Sequence, residues 1–530
     1  MIKMVKEEIK KIVEKSVKEL LKEKKVFFDF KIEINYSKDK IYGDYSTSVA
    51  MPLSKGLKEN PIEIAKKLKA KIFKKNKEIF KKIEIAEPGF INFFISEDYF
   101  KKEVKEILKK KEKFGSLKIG KNKKVNIDFI SANPTGPLTL GNARGGFGGD
   151  VLSRVLKKAG YRPTKEYYIN DVGEQIKNLG YSVIGDIKGE YKGDYIKELR
   201  KRIKTKDPYE AGSKAAKIIL NEMIKPQIKK MGIKFDVWFS EKTLYEKGLV
   251  DKIIEKLDKK GLIYKKEEAV WFKSTQFGDD KDRVLIKSNG EKTYFASDIS
   301  YMENKFKRGF KKLIFFFGAD HYGYVPRLKA AAEALGYKKE DIDVIIFQHV
   351  RLFKDGKEVR MSKRKGIYVT VEELINEVGS DVARFFFVLR SFDSHLNFDL
   401  SLAKKQTEDN PLFYVQYAYV RIISILKKAS KIKIKKFNVK FFNNELEIEL
   451  IKQLIKFPEI VEEIALTYEV HKLTKYLIDL SDAFHRFYEN NKVIGEDKNL
   501  TQSRLSLLLA TKIVFENSFD LLGIKPLKKM

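Results

Sequence analysis

A chain of 530 residues, 43% of them apolar, is long enough to bury several cores without covalent staples. It has no cysteine, which excludes disulfides, thiolate catalysis and cysteine-ligated zinc or iron–sulfur centres. The formal charge of +34 attracts polyanions, nucleic acid foremost, although lysines spread over wetted helix faces supply part of it.

From Met1 to about Lys24, apolar residues recur at Ile2, Val5, Ile9, Ile12 and Val13, a surface helix with one buried stripe. This N-terminus mixes acids and bases without an apolar signal region, and no apolar run reaches membrane length. A cytoplasmic protein with no membrane partner is expected. A helix from Pro61 follows, then strands near Lys82–Ala86 and Phe90–Phe94 around the turn Glu87-Pro-Gly89, giving a small mixed α/β domain over residues 1–115. The lysine-rich helix Phe100 to Lys113 links it to the next domain.

Between about Lys121 and Leu400 strands and helices alternate, as in a parallel sheet covered on both faces, and residues 116–400 form one domain. Candidate strands are Val125–Ile130, Lys165–Ile169, Leu313–Phe317 and Val344–Gln348. Ligands in such sheets sit at the carboxyl ends of strands, where the order reverses, and both Ser131 and Gly318 fall at such ends. Past Ser401 the β signals fade, and stripes such as Val415, Ala418, Tyr419, Ile422 and Leu426 predict a helical bundle over 401–530.

Three stretches carry the chemistry. Asp128 to Asp150 reads as a strand end, a turn holding Pro134, Gly136, Pro137 and Gly141, and a helix N-terminus where backbone N–H groups can face an anion. A tight structural turn is the alternative. Further on lie Gly318-Ala-Asp-His-Tyr-Gly-Tyr324 and Arg360-Met-Ser-Lys-Arg-Lys-Gly366.

Their order resembles the signatures of class I aminoacyl-tRNA synthetases, written HIGH and KMSKS, with counterparts Thr139-Leu-Gly-Asn142 and Arg360-Met-Ser-Lys-Arg364. Longer matches resemble the arginyl-tRNA synthetase family. They are Ser131-Ala-Asn-Pro-Thr-Gly-Pro137, Glu166-Tyr-Tyr-Ile-Asn-Asp171, Phe235-Asp-Val-Trp-Phe-Ser-Glu241 and Gly278-Asp-Asp-Lys-Asp-Arg-Val-Leu285. Thr293-Tyr-Phe-Ala-Ser-Asp298 and Asn410-Pro-Leu-Phe-Tyr-Val-Gln-Tyr417 complete the set, which spans nearly the whole chain. The resemblance implies a Rossmann-like catalytic domain between an N-terminal added domain that contacts tRNA and a C-terminal anticodon-binding domain. It implies ATP as substrate with magnesium, L-arginine and arginine tRNA as partners, a monomer, and activation of arginine only with tRNA bound.

Amino-acid activation needs no enzyme nucleophile, only positioning and positive charge where pyrophosphate charge develops. Lys363 is the leading catalytic candidate, its ammonium following the β and γ phosphates, with Gly366 letting its loop move. Where the family carries histidines that donate to phosphate, this chain has Thr139 and Asn142; both can donate hydrogen bonds but neither can carry charge. Tryptophanyl relatives share this form. Pro137, Gly141, Gly318, Asp320, His321, Gly323, Met361 and Ser362 resemble the family's ATP-binding positions. Tyr294 and Asp298, one helical turn apart, match positions that recognise the guanidinium, while Asp128, Ser131 and Asn133 match those that hold the amino acid's ammonium and carboxylate. No zinc or other protein-held metal is expected, because the five histidines lack ligand spacing.

Rival readings are a nicotinamide-dependent oxidoreductase, a non-catalytic tRNA-binding relative and another class I synthetase. The first is motivated by Glu166 some 20 residues past the glycine-rich turn, but Val151 stands where the third glycine of its fingerprint belongs. The missing histidines motivate the second, against which Lys363, Tyr294 and Asp298 argue. The combined pattern of Tyr294, Asp298, Ser131 and Asn133 favours arginine over other amino acids.

Overall fold

The computed structural model describes residues 4–37, 39–359, 370–432, 441–442 and 444–530. The N-terminal helix Val5–Glu23 buries Ile9, Val13, Val17 and Leu20. It packs near helix Pro61–Lys75, whose N-cap Asn60 accepts from the Ile62 amide and whose first residue is proline. An antiparallel sheet completes this part, in the order Asn35–Tyr36, Tyr45–Thr47, Phe90–Ile95, Phe80–Ala86.

The middle of the chain is built on five parallel strands. Their spatial order is Ile342–Phe347, Lys312–Gly318, Lys124–Asp128, Arg162–Ile169, Val237–Ser240. Side-chain alternation along Lys312–Gly318 shows that both faces are covered: Ile314 and Phe316 enter one core, Leu313 and Phe315 another. The chain starts at the central strand, builds outward on one side, then returns to build the other. The strand order therefore reverses between Asp128 and Gly318.

The first strand ends at Asp128 rather than at Ile130 as the sequence pattern suggested. Ile130 (φ 66°) and Ser131 (φ 35°) turn into the left-handed region and lift the chain off the sheet. Two small sheets had no counterpart in the sequence reading: Ile263–Lys266, Ala269–Phe272 and Arg283–Ile286, and Lys357–Val359, Val350–Lys354 and Leu396–Asp399. Helices Pro411–Lys428, Glu445–Thr467, His471–Asn490 and Lys498–Leu522 make up the C-terminal bundle.

One helix joins these parts. Leu140–Lys158 begins at the carboxyl edge of the sheet, and its far half carries Asp150, fully buried. That carboxylate accepts from Arg384 at 2.7 Å, Lys165 at 2.9 Å and Arg154 at 3.0 Å. Burial alone would raise its pKa, but Arg384, Arg154 and Lys165 hold it down, at about 2. The surplus cations also reach the end of the last helix: Arg384 donates to the Leu522 carbonyl and Arg154 to that of Asp520. Cations at a helix C-terminus meet its negative dipole end.

Candidate active site

At the start of helix Leu140–Lys158, Asn142 folds back on the N-cap. Its Oδ1 accepts from the Thr139 amide and from the Thr139 hydroxyl, both at 2.9 Å. The Thr139 proton is thus used inside the cap, and the two N–H donors of the Asn142 amide make no hydrogen bond among the described residues. Of the two donors expected at this motif, Asn142 is the one free to face an anion. Pro137 and Gly141 are both partly exposed beside it, and a Cβ added to Gly141 would meet only Thr139 Oγ1, at 3.7 Å.

The glycines that follow have another use. A Cβ on Gly149 would come within 2.4 Å of the Phe129 ring, one on Gly148 within 2.2 Å of Phe392, and one on Gly146 within 2.8 Å of Ile130. They bring the helix down close against its neighbours. Glu166 is equally internal: it accepts from Asn126, Tyr301 and Arg308 at 2.6–2.7 Å. A buried, ion-paired carboxylate cannot serve a ribose, and the dinucleotide reading fails on this point.

Across the switch point, Gly318 ends its strand, and Asp320, His321 and Gly323 sit exposed on the short helical turn that follows. Met361, Ser362 and Lys363, with the whole of Arg360-Met-Ser-Lys-Arg-Lys-Gly366, lie outside the described residues. The chain re-enters at Thr370, which forms a β-bridge with Thr139, and the Val371 amide donates to the Leu138 carbonyl at 3.1 Å. The first signature stretch is therefore joined to Thr370 and Val371.

Asp128 is 6% exposed and fully engaged: Lys305 donates to it at 2.7 Å, Tyr301 at 3.1 Å and Ser131 at 2.5 Å. Ser131 in turn accepts from the Tyr168 amide at 3.0 Å. Asp128 thereby orients Ser131, whereas Asn133 remains partly exposed on the turn.

Tyr294 and Asp298 do share one face, in the opening turns of helix Tyr294–Lys307. Tyr294 is 47% exposed, and its hydroxyl would lie 3.4 Å from a Cβ on Gly173. Asp298 accepts from the Tyr324 hydroxyl. Burial pushes its carboxyl up to about 6, with Asp128 adding to the effect and Tyr324, Lys305 and Arg327 opposing it.

Sequence reasoning passed over the second carboxylate. Glu241, 1% exposed, follows the strand Val237–Ser240, and its carboxyl is pushed up to about 8 by burial first and by Asp298 next. With its side-chain amide turned so that oxygen and nitrogen both find partners, Asn170 donates to it at 2.8 Å. The Tyr168 and Ser297 hydroxyls lie against Glu241 and oppose that rise, and Gln175 Oε1 is buried with no hydrogen-bond partner among the described residues. Neither Glu241 nor Asp298 has an ion-pair partner among those residues. Two desolvated carboxylates without a salt bridge can accept a cation, and a planar one with several N–H donors can satisfy both at once. The one available signal was positional: Glu241 ends the stretch from Phe235, at a strand's carboxyl end.

Comparison with known proteins identifies the family. The family model for the arginyl tRNA synthetase N terminal domain matches residues 5–95, and that for the class I (R) tRNA synthetase catalytic domain matches 103–191 and 186–385. The DALR anticodon binding domain matches 415–530. An arginine–tRNA ligase of Caldanaerobacter subterraneus subsp. tengcongensis is 42% identical, with 100% of this chain and 99% of the relative covered. The Bacillus subtilis arginine–tRNA ligase is 42% identical over 93% of each chain. In structure, the chain superposes on the Thermus thermophilus arginyl-tRNA synthetase with a TM-score of 0.80, at 20% identity, covering 99% of this chain and 100% of that one. The chain belongs to the arginyl-tRNA synthetase family of class I.

Proposed function

We propose that this chain couples ATP to the activation of L-arginine and transfers the arginyl group to the 3′-terminal ribose of arginine tRNA. The observation that carries the reading is the buried carboxylate pair: Glu241 just past the carboxyl end of strand Val237–Ser240 and Asp298 in helix Tyr294–Lys307, neither with a salt bridge among the described residues. The guanidinium sits between these carboxylates, with Tyr294 over the mouth. Ser131, set by Asp128, and Asn133 hold the other end of the amino acid.

The α-carboxylate of arginine then attacks the α-phosphorus of ATP, the bond to the bridging oxygen breaks, and pyrophosphate leaves. The Asn142 amide and the amides of the helix's first turn stabilise the charge that develops there. Lys363 follows the departing phosphates, flanked by Met361 and Ser362. The ribose of ATP lies over Gly318, Asp320, His321 and Gly323. Magnesium held by the ATP phosphates would neutralise part of the charge that departs with pyrophosphate. In the second step a ribose hydroxyl of tRNA attacks the adenylate carbonyl, and AMP leaves.

In this reading residues 1–115 contact the tRNA body, 116–400 catalyse, and 401–530 bind the anticodon, in a cytoplasmic monomer whose positive field draws in the RNA. Charging of an arginine tRNA transcript with labelled arginine tests it. ATP-dependent product is expected; tight, salt-sensitive tRNA binding without product would identify a non-catalytic relative.

A further inference from the structure

The chain has only five histidines, none in the first signature motif, yet three of them gather at the carboxyl edge of the sheet. His321 lies against Phe317, with ring centroids 5.6 Å apart. His349 and His395 lie side by side, 6.4 Å apart and 13° from parallel, because they precede the paired residues Val350 and Leu396 of a parallel ladder. The His349 Nε2 atom is 3.7 Å from Asp320 Oδ1.

This placement is built from the core outward. Arg144, in the helix that starts at Thr139, is fully buried. Its guanidinium donates at 2.7 Å to the carbonyls of Gln348, Ser391 and Ser394. Two of those carbonyls belong to the residues directly before His349 and His395. The Gln348 amide donates to Phe392 O at 3.0 Å, and the Leu396 amide to His349 O at 3.1 Å. One cation on the signature helix thus sets the backbone of both histidines. The imidazole of His349 is left 62% exposed and facing the exposed carboxylate of Asp320.

We propose that His349, backed by His395, is a positioning and specificity residue for the ribose of ATP. The assignment rests on the function proposed above. Asp320 accepts from a ribose hydroxyl, and the His349 Nε2–H, drawn in when the nucleotide excludes water, donates to the carboxylate or to the ribose oxygen and fixes its orientation. Hydrogen bonds to a charged group discriminate well between a substrate hydroxyl and its absence.

The test compares ATP with 2′-deoxy-ATP and 3′-deoxy-ATP in charging assays of wild type, His349→Ala, His349→Asn and His395→Ala. For His349→Ala, KM for ATP should rise roughly 10- to 100-fold with kcat little changed, and preference for ATP over one deoxynucleotide should collapse. His349→Asn, which keeps a donor, should recover part of both, and His395→Ala should show a smaller effect of the same kind. Unchanged KM and unchanged discrimination in His349→Ala would overturn the proposal. So would a uniform fall in kcat with discrimination intact, which marks a structural role. Failure of the wild type to charge at all would instead defeat the underlying functional reading.

Discussion

Glu241→Gln isolates the charge of the proposed guanidinium pocket at nearly constant shape. The wild-type carboxyl is pushed from an ordinary 4.5 to about 8, so the folded state holds its proton more tightly than the unfolded state does. The sign follows: the empty pocket loses stability as pH rises from about 4.5 towards 8, because unfolding releases a proton the fold retains. Between pH 5.5 and 8 the loss is roughly 3 kcal/mol, on the order of a few degrees in melting temperature. Gln carries no such penalty, so the variant should match wild type at pH 5.5 and be more heat-stable at pH 8.

Arginine should reverse that ranking. A guanidinium favours the ionised carboxylates, so it should stabilise wild type increasingly with pH and the variant little. KM for arginine should fall about tenfold per unit between pH 6 and 7.5 in wild type, and rise by two orders of magnitude or so in the variant. Thermal shift at the two pH values, with and without arginine, reads all of this. If the variant's melting curve follows wild type at both pH values and arginine shifts both equally, Glu241 is not in the pocket.

Four further changes probe other parts of the site. Asp298→Ala should abolish charging with arginine while tRNA binding survives; unchanged arginine affinity would refute the pocket assignment. Asn142→Ala removes the only donor of the first motif not tied up in the cap and should lower kcat about 100-fold or more, with KM for arginine preserved. A variant as fast as wild type would move phosphate stabilisation elsewhere. Lys363→Ala should lower turnover far more than substrate affinity, and a pure affinity loss would count against its phosphate role. Asp150→Asn leaves Arg384 buried without its anion and should cost about 3–5 kcal/mol, seen as a lower melting temperature at neutral pH. The gap should close as pH falls toward 2, where the wild-type carboxylate also protonates.

Local physics was legible in the linear chain. Alternation marked the strands, the spacing of Tyr294 and Asp298 put them on one helical face, and the apolar spacing from Val151 announced a helix after the turn, although that helix already starts at Leu140 and takes in the glycines. The signature stretches identified the family because each is a contiguous run whose chemistry survives without tertiary context. The sequence could not tell what a residue faces. The stretch from Asp128 to Asp150 read as a turn and helix start able to face an anion, and only the Phe347, Phe392 and Phe129 rings show that Gly145, Gly148 and Gly149 within it are packing contacts. Asp128 read as a ligand residue, until Lys305, 177 positions away, took its charge. Glu241 acquires meaning only when sheet order and helix packing bring it to Asp298, and Arg144 only through carbonyls more than 200 residues distant. Periodicity and turn chemistry act over a few residues. Desolvation and charge pairing depend on which strands become neighbours, and the folded sheet alone decides that.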